Sequence, residues 1–112
     1  MTAFFDFHVF VCQNQRDPDA LRPCCGRERG EAIRARFQQM LRKYGVPHAR
    51  ANKSMCLDRC ELGPVIVVYP EGIWYRIEDI DTDVEAIVRD HFVGGDVVER
   101  LRLPDREPAP AP

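Results

Sequence analysis

The sequence predicts an α/β (α+β) chain built on a four-stranded mixed sheet with two main helices. Three observations predict it. Apolar residues alternate with period two over residues 5–12, and a β-favouring run fills Val65–Tyr69. A helical period governs residues 28–44 and returns over residues 84–92. The segments follow one another as strand, helix, strand, strand, strand, helix.

The first strand spans residues 5–12. Phe5, Phe7, Val9 and Val11 alternate with Asp6, His8, Phe10 and Cys12. Phe10 on the second face points to an inner strand buried on both sides. Residues 13–25 are polar, carry Pro18 and Pro23, and read as a long loop. The first helix is expected from Gly26 or Glu28 to Tyr44. Ile33, Phe37, Met40, Leu41 and Tyr44 share one face, Arg42 and Lys43 suit the negative end of the dipole, and Gly45 with Pro47 stops the helix.

His48–Lys53 is a weaker strand candidate. Val65–Tyr69 and Ile73–Ile77 form a hairpin around Pro70-Glu71-Gly72. Asp79–Asp81 reads as a loop, and Thr82 with Glu85 has the form of a capping box. The helix behind it carries Val84, Ile87, Val88 and Phe92 on one face and ends at Gly94-Gly95. Asp96–Leu103 is expected to be extended. Residues 104–112, rich in Pro and Ala, read as a flexible solvated tail, which leaves residues 1–103 as one domain. A β-α-β unit followed by a hairpin and a helix is the thioredoxin-like arrangement.

Composition narrows the function. A formal net charge of -2 argues against a general nucleic-acid binder. The longest apolar run, Val65–Tyr69, is far too short to span a membrane. The N-terminus lacks a basic region followed by an apolar core, so a cytoplasmic location is expected. Five cysteines in such a chain point to metal or redox chemistry rather than disulfides.

The cysteines fall at the ends of predicted elements. Cys12 closes the first strand, and Cys24-Cys25 precede the first helix. Cys56 and Cys60 bound a thiol loop that Gly63-Pro64 separates from the strand at Val65. The central first strand would open at the same end of the molecule as that loop, which brings the thiol sites together. Four thiolates suit zinc or an iron–sulfur cluster. One widely spaced pair and one close pair favour a two-iron cluster, while a structural zinc site usually has two tight knuckles. A zinc-stabilised interaction module stays open on spacing alone. A thiol–disulfide enzyme is disfavoured, because Cys-x-x-Cys is missing at the first helix and adjacent Cys24-Cys25 bridge only with strain.

The chain resembles the thioredoxin-like [2Fe-2S] ferredoxins of bacteria. The resemblance rests on His8-Val9-Phe10-Val11-Cys12, on Cys25 followed by Gly30 and a helix, and on Cys56-x3-Cys60. It continues through Gly63-Pro64-Val65-Ile66-Val67-Val68-Tyr69-Pro70, Gly72-Ile73-Trp74-Tyr75 and Gly94–Leu101, and so covers residues 7–103. It implies a one-electron carrier rather than an enzyme, a cluster held by four cysteines, unidentified redox partner proteins and a homodimer. Carried over by position, the ligands are Cys12, Cys25, Cys56 and Cys60. The helix register, with Ile33 and Phe37 following Cys25, favours Cys25 over Cys24. The loop Asp17–Pro23 departs from the family pattern, which touches loop contacts more than ligation. The same fold also serves as a subunit of respiratory NADH dehydrogenase, so a place in a larger redox complex is a second reading.

With no histidine at a ligand position, a potential near that of all-cysteine plant-type centres, about -400 mV, is expected. Arg16, Arg22, Arg27 and Arg29 gather near the first thiol pair, where they are solvated charge or offset for a cluster. Trp74 and Tyr75 read as hairpin packing, and His8, His48 and His91 as surface or packing residues.

Overall fold

The computed structural model describes residues 4–13, 26–55, 57, 59 and 63–104. Strand β1, Phe7–Cys12, runs parallel to β2, Ala49–Ser54, with Phe7 opposite Ala49 and Cys12 opposite Ser54. Helix α1, Arg27–Lys43, is the crossover between these parallel neighbours. Strand β3, Val65–Tyr69, runs antiparallel to β1 and to β4, Ile73–Arg76. The sheet order is β2-β1-β3-β4, so β1 is an inner strand, as its two-sided apolar pattern requires.

The apolar period of α1 translates into burial of Ile33, Phe37, Met40 and Leu41 against one face of the sheet, with Val9, Val11, Ile66 and Val68 beneath. The second helix adds Val84, Ile87, Val88 and Phe92 to the same core. Phe92 stacks on Phe7 with centroids 4.3 Å apart, which ties the second helix to β1.

The second helix, α2, begins earlier than its sequence suggests. It spans Ile80–Ala86, and Asp79 is its cap, accepting the Thr82 N–H at 3.0 Å. Asp83 reaches back instead of Glu85, and accepts the Glu78 and Asp79 N–H groups at 2.9 and 2.8 Å. Glu85 is drawn to α1, where it accepts from Lys43 Nζ at 2.6 Å and Tyr44 Oη at 2.8 Å. An aspartate three residues before Thr82 is a better cap than threonine, and the cation on α1 outbids a local contact. The helix continues in π-helical turns over Ile87–Val93.

The C-terminal segment is not simply extended. A short 3-10 turn, Glu99–Leu101, buries Leu101 in the main core, and the chain then meets the end of β4. Arg102 bridges Tyr75, and the Leu103 N–H donates to the Trp74 carbonyl at 2.9 Å. The expected tail begins at Pro104, and residues 105–112 lie outside the described residues.

Candidate metal centre

Three of the four predicted ligands, Cys25, Cys56 and Cys60, lie outside the described residues, as does Cys24. Cys12 is described. It ends β1, is only 1% exposed, and carries a free thiol. Val65 and Leu103 bury it, with Leu57 and Trp74 half-buried against them.

The described neighbours of the other three cysteines all come to this end of the sheet. Cys12 lies opposite Ser54, and the Gln13 N–H donates to the Ser54 carbonyl at 2.9 Å. Cys56 follows Ser54 by two residues in the sequence. Val65, at the start of β3, packs on Cys12. Cys60 precedes Gly63 by three residues in the sequence. The first turn of α1 presses on the carbonyl of Cys12. A Cβ on Gly30 would stand 2.5 Å from the Cys12 oxygen, and the Gly30 N–H donates to Gly26 at 2.9 Å. Cys25 is joined to Gly26, the residue that caps α1. Only glycine permits so close an approach of helix to strand end.

The polar surroundings are ordered on the β2 side. Gln13 Nε2 and Arg34 Nε both donate to Glu31 Oε2 at 2.9 Å, and together they hold the Glu31 carboxyl down to about 2. On the β4 side the guanidinium of Arg59 lies 5.0 Å from the centroid of the Trp74 ring. It donates from Nη2 to the Pro104 carbonyl at 2.9 Å. Among the described residues the donor at this end of the sheet is the buried Cys12 thiol, a soft sulfur that suits an iron–sulfur group or zinc better than a hard cation.

Leu103 packs on Cys12, although the sequence suggests only an extended segment there. Of the two roles open to His91, surface or packing, the structure shows packing, at 2% exposure. Its Nδ1 meets the Tyr75 hydroxyl at 2.8 Å and its Nε2 meets Glu71 Oε1 at 2.9 Å, while the Val98 N–H donates to the Tyr75 oxygen at 3.1 Å. Burial pushes the Tyr75 hydroxyl up to about 12. The signal was present, since His91 continues the helical offsets of Val84, Ile87 and Val88.

No family model matches the chain. Curated relatives do. The chain is 36% identical over 106 residues to a 2Fe-2S ferredoxin of Aquifex aeolicus (strain VF5), covering 90% of this chain and 92% of that one. It is 35% identical over 97 residues to a 2Fe-2S ferredoxin of Clostridium pasteurianum, covering 86% and 94%. Its fold matches the crystal structure of a thioredoxin-like [2Fe-2S] ferredoxin from Aquifex aeolicus with a TM-score of 0.79 at 32% identity, over 92% of this chain and all of that one. With the fold shared and about a third of the residues identical over nine-tenths of the chain, the chain belongs to the thioredoxin-like [2Fe-2S] ferredoxins.

Proposed function

We propose that this protein is a one-electron carrier whose [2Fe-2S] cluster is held by the thiolates of Cys12, Cys25, Cys56 and Cys60. The observation that carries the ligand set is the convergence on Cys12 of the ends of β1 and β2 and the starts of β3 and α1. When bound, such a group takes up and returns one electron, at about -400 mV where all ligands are cysteine. The residues of this chain supply the rest. Cys12 offers a buried thiolate, and Val65, Leu103 and Trp74 keep water from one side of it. The β1 carbonyl at Cys12 is locked against α1 at Gly30, which limits how far the thiol-bearing segments can part.

The protein acts as a carrier rather than a catalyst, exchanging electrons with partner proteins in the cytoplasm. Among the described residues no helix is long and apolar enough to cross a membrane. A homodimer fits the sheet face turned away from the helices. There His8 and Phe10 lie beside Tyr69, with Phe5 on His8 at 4.6 Å and Phe10 on Tyr69 at 6.0 Å. Aromatic residues are the usual anchors of such contacts.

The test is anaerobic purification followed by iron and sulfide assay and EPR of the reduced state. Two irons and two sulfides per chain, with visible bands that bleach on reduction, are expected. Serine at Cys12, Cys25, Cys56 or Cys60 changes that spectrum, and serine at Cys24 leaves it intact. A colourless zinc protein, or a midpoint above zero, refutes the reading. Sedimentation equilibrium reads the dimer.

A further inference from the structure

Three segments far apart in the chain meet beside Cys12. Leu57 and Arg59 come from the thiol loop, Trp74 from β4, and Leu103 and Pro104 from the C-terminal segment. Leu57 and Trp74 pack on the buried trio of Cys12, Val65 and Leu103. Arg59 then fastens the arrangement from outside, with its guanidinium over the Trp74 ring at 5.0 Å and its Nη2 on the Pro104 carbonyl at 2.9 Å. The Leu103 N–H on the Trp74 carbonyl, at 2.9 Å, fixes the C-terminal segment to the same strand.

A planar cation can stack on a ring and donate sideways in one placement, which suits arginine better than lysine. The guanidinium also carries a fixed positive charge at the one side of the pocket where the thiol loop, β4 and the C-terminal segment join. A cation close to a redox centre favours the more negative, reduced state.

We propose that Arg59 is a positioning residue. By stacking on Trp74 and holding Pro104, it keeps Leu57 and the C-terminal segment closed over Cys12, limits access of water and chelators, and offsets the charge gained on reduction. The proposal rests on the cluster reading above.

The test uses the cluster-loaded protein, with Arg59→Ala, Arg59→Lys, Trp74→Leu and the double variant of Arg59→Ala and Trp74→Leu. Iron release to a ferrous chelator and the midpoint potential are measured on each. Arg59→Ala should release iron about tenfold faster, the loss expected from one cation–ring contact and one charge-assisted hydrogen bond. Its midpoint should fall, by up to a tenfold change in the one-electron equilibrium, which is about 59 mV. Arg59→Lys should recover most of the potential and part of the protection, since it keeps the charge and loses the fork. The double variant should release iron more slowly than the two single effects combined would give, because the Arg59–Trp74 stack is common to both changes. A red-brown wild type in which Arg59→Ala matches it in release rate and potential overturns the proposal and leaves the cluster reading standing. Additive rates in the double variant overturn it as well. A colourless wild type overturns both. If Arg59→Ala does not fold, Trp74→Leu alone carries the release test, and a wild-type rate there refutes the clamp.

Discussion

Replacing Gly30 with alanine sets two effects of known size against each other. Within a helix, alanine is favoured over glycine by about 1 kcal/mol. At this position the new methyl would stand 2.5 Å from the Cys12 carbonyl oxygen, 2.7 Å from Gln13 Cγ and 3.1 Å from Gln13 Cα. Ordinary contact begins at 3.4 Å, so the first turn of α1 must recede from β1 by about 0.9 Å. Gln13 Cγ belongs to a flexible side chain and can yield. The Cys12 carbonyl is held in the sheet opposite Ser54 and cannot. Overpacking of this kind costs about 1–3 kcal/mol and the helix preference returns about 1, which leaves a net loss of up to about 2 kcal/mol. For a domain of this size the melting temperature should fall by up to roughly 10 °C. The displacement also moves Gly26, and the cysteine bonded to it, away from Cys12. Iron content of the purified Gly30→Ala protein should therefore fall well below two per chain. Gly45→Ala is the control. It sits at a φ of 61° with nothing within 4 Å, so it strains the backbone at the far end of α1 and leaves iron content unchanged. A Gly30→Ala protein that melts higher than wild type with full iron would refute the reasoning.

Other perturbations test the scaffold. The buried Asp83 carboxylate serves the Glu78 and Asp79 N–H groups and the exposed Arg100 Nη1, so Asp83→Ala should cost about 1–3 kcal/mol in denaturant titration. Burial pushes this carboxyl up, but those three donors outweigh it and leave it below the usual range. A depressed value in the folded state contributes stability above the unfolded carboxyl value, near 3.8, that is lost as pH falls through the lower folded value. The gap between wild type and Asp83→Asn should thus narrow below about pH 4 and stay constant above pH 5. Tyr75→Phe leaves the Val98 N–H and His91 Nδ1 without their buried partner and should cost about 1–3 kcal/mol in the same titration, with the midpoint potential unchanged. Glu85→Gln removes the charge that Lys43, Tyr44 and Arg36 share, and because the pair is exposed its effect on melting should be under about 1 kcal/mol and vanish in high salt.

Much of this protein could be read without its structure. Period-two and helical patterns placed β1, α1, β3 and β4 to within two residues at most of their ends, because each buries its apolar face on its own element. Cysteine placement at element ends, together with the resemblance over residues 7–103, pointed to the metal chemistry, and the relatives bear out the family. Tertiary structure decided what depends on groups distant in the chain. Asp79 rather than Thr82 caps α2, because Glu85 is taken by Lys43 and Tyr44 on another helix. His91 is buried because Tyr75 and Glu71, from the hairpin, satisfy both its ring nitrogens. Leu103 closes over Cys12 because β4 still offers a carbonyl at Trp74 for its N–H. Periodicity reports which face of an element avoids water. Which polar group answers which across the fold is settled only when the elements meet.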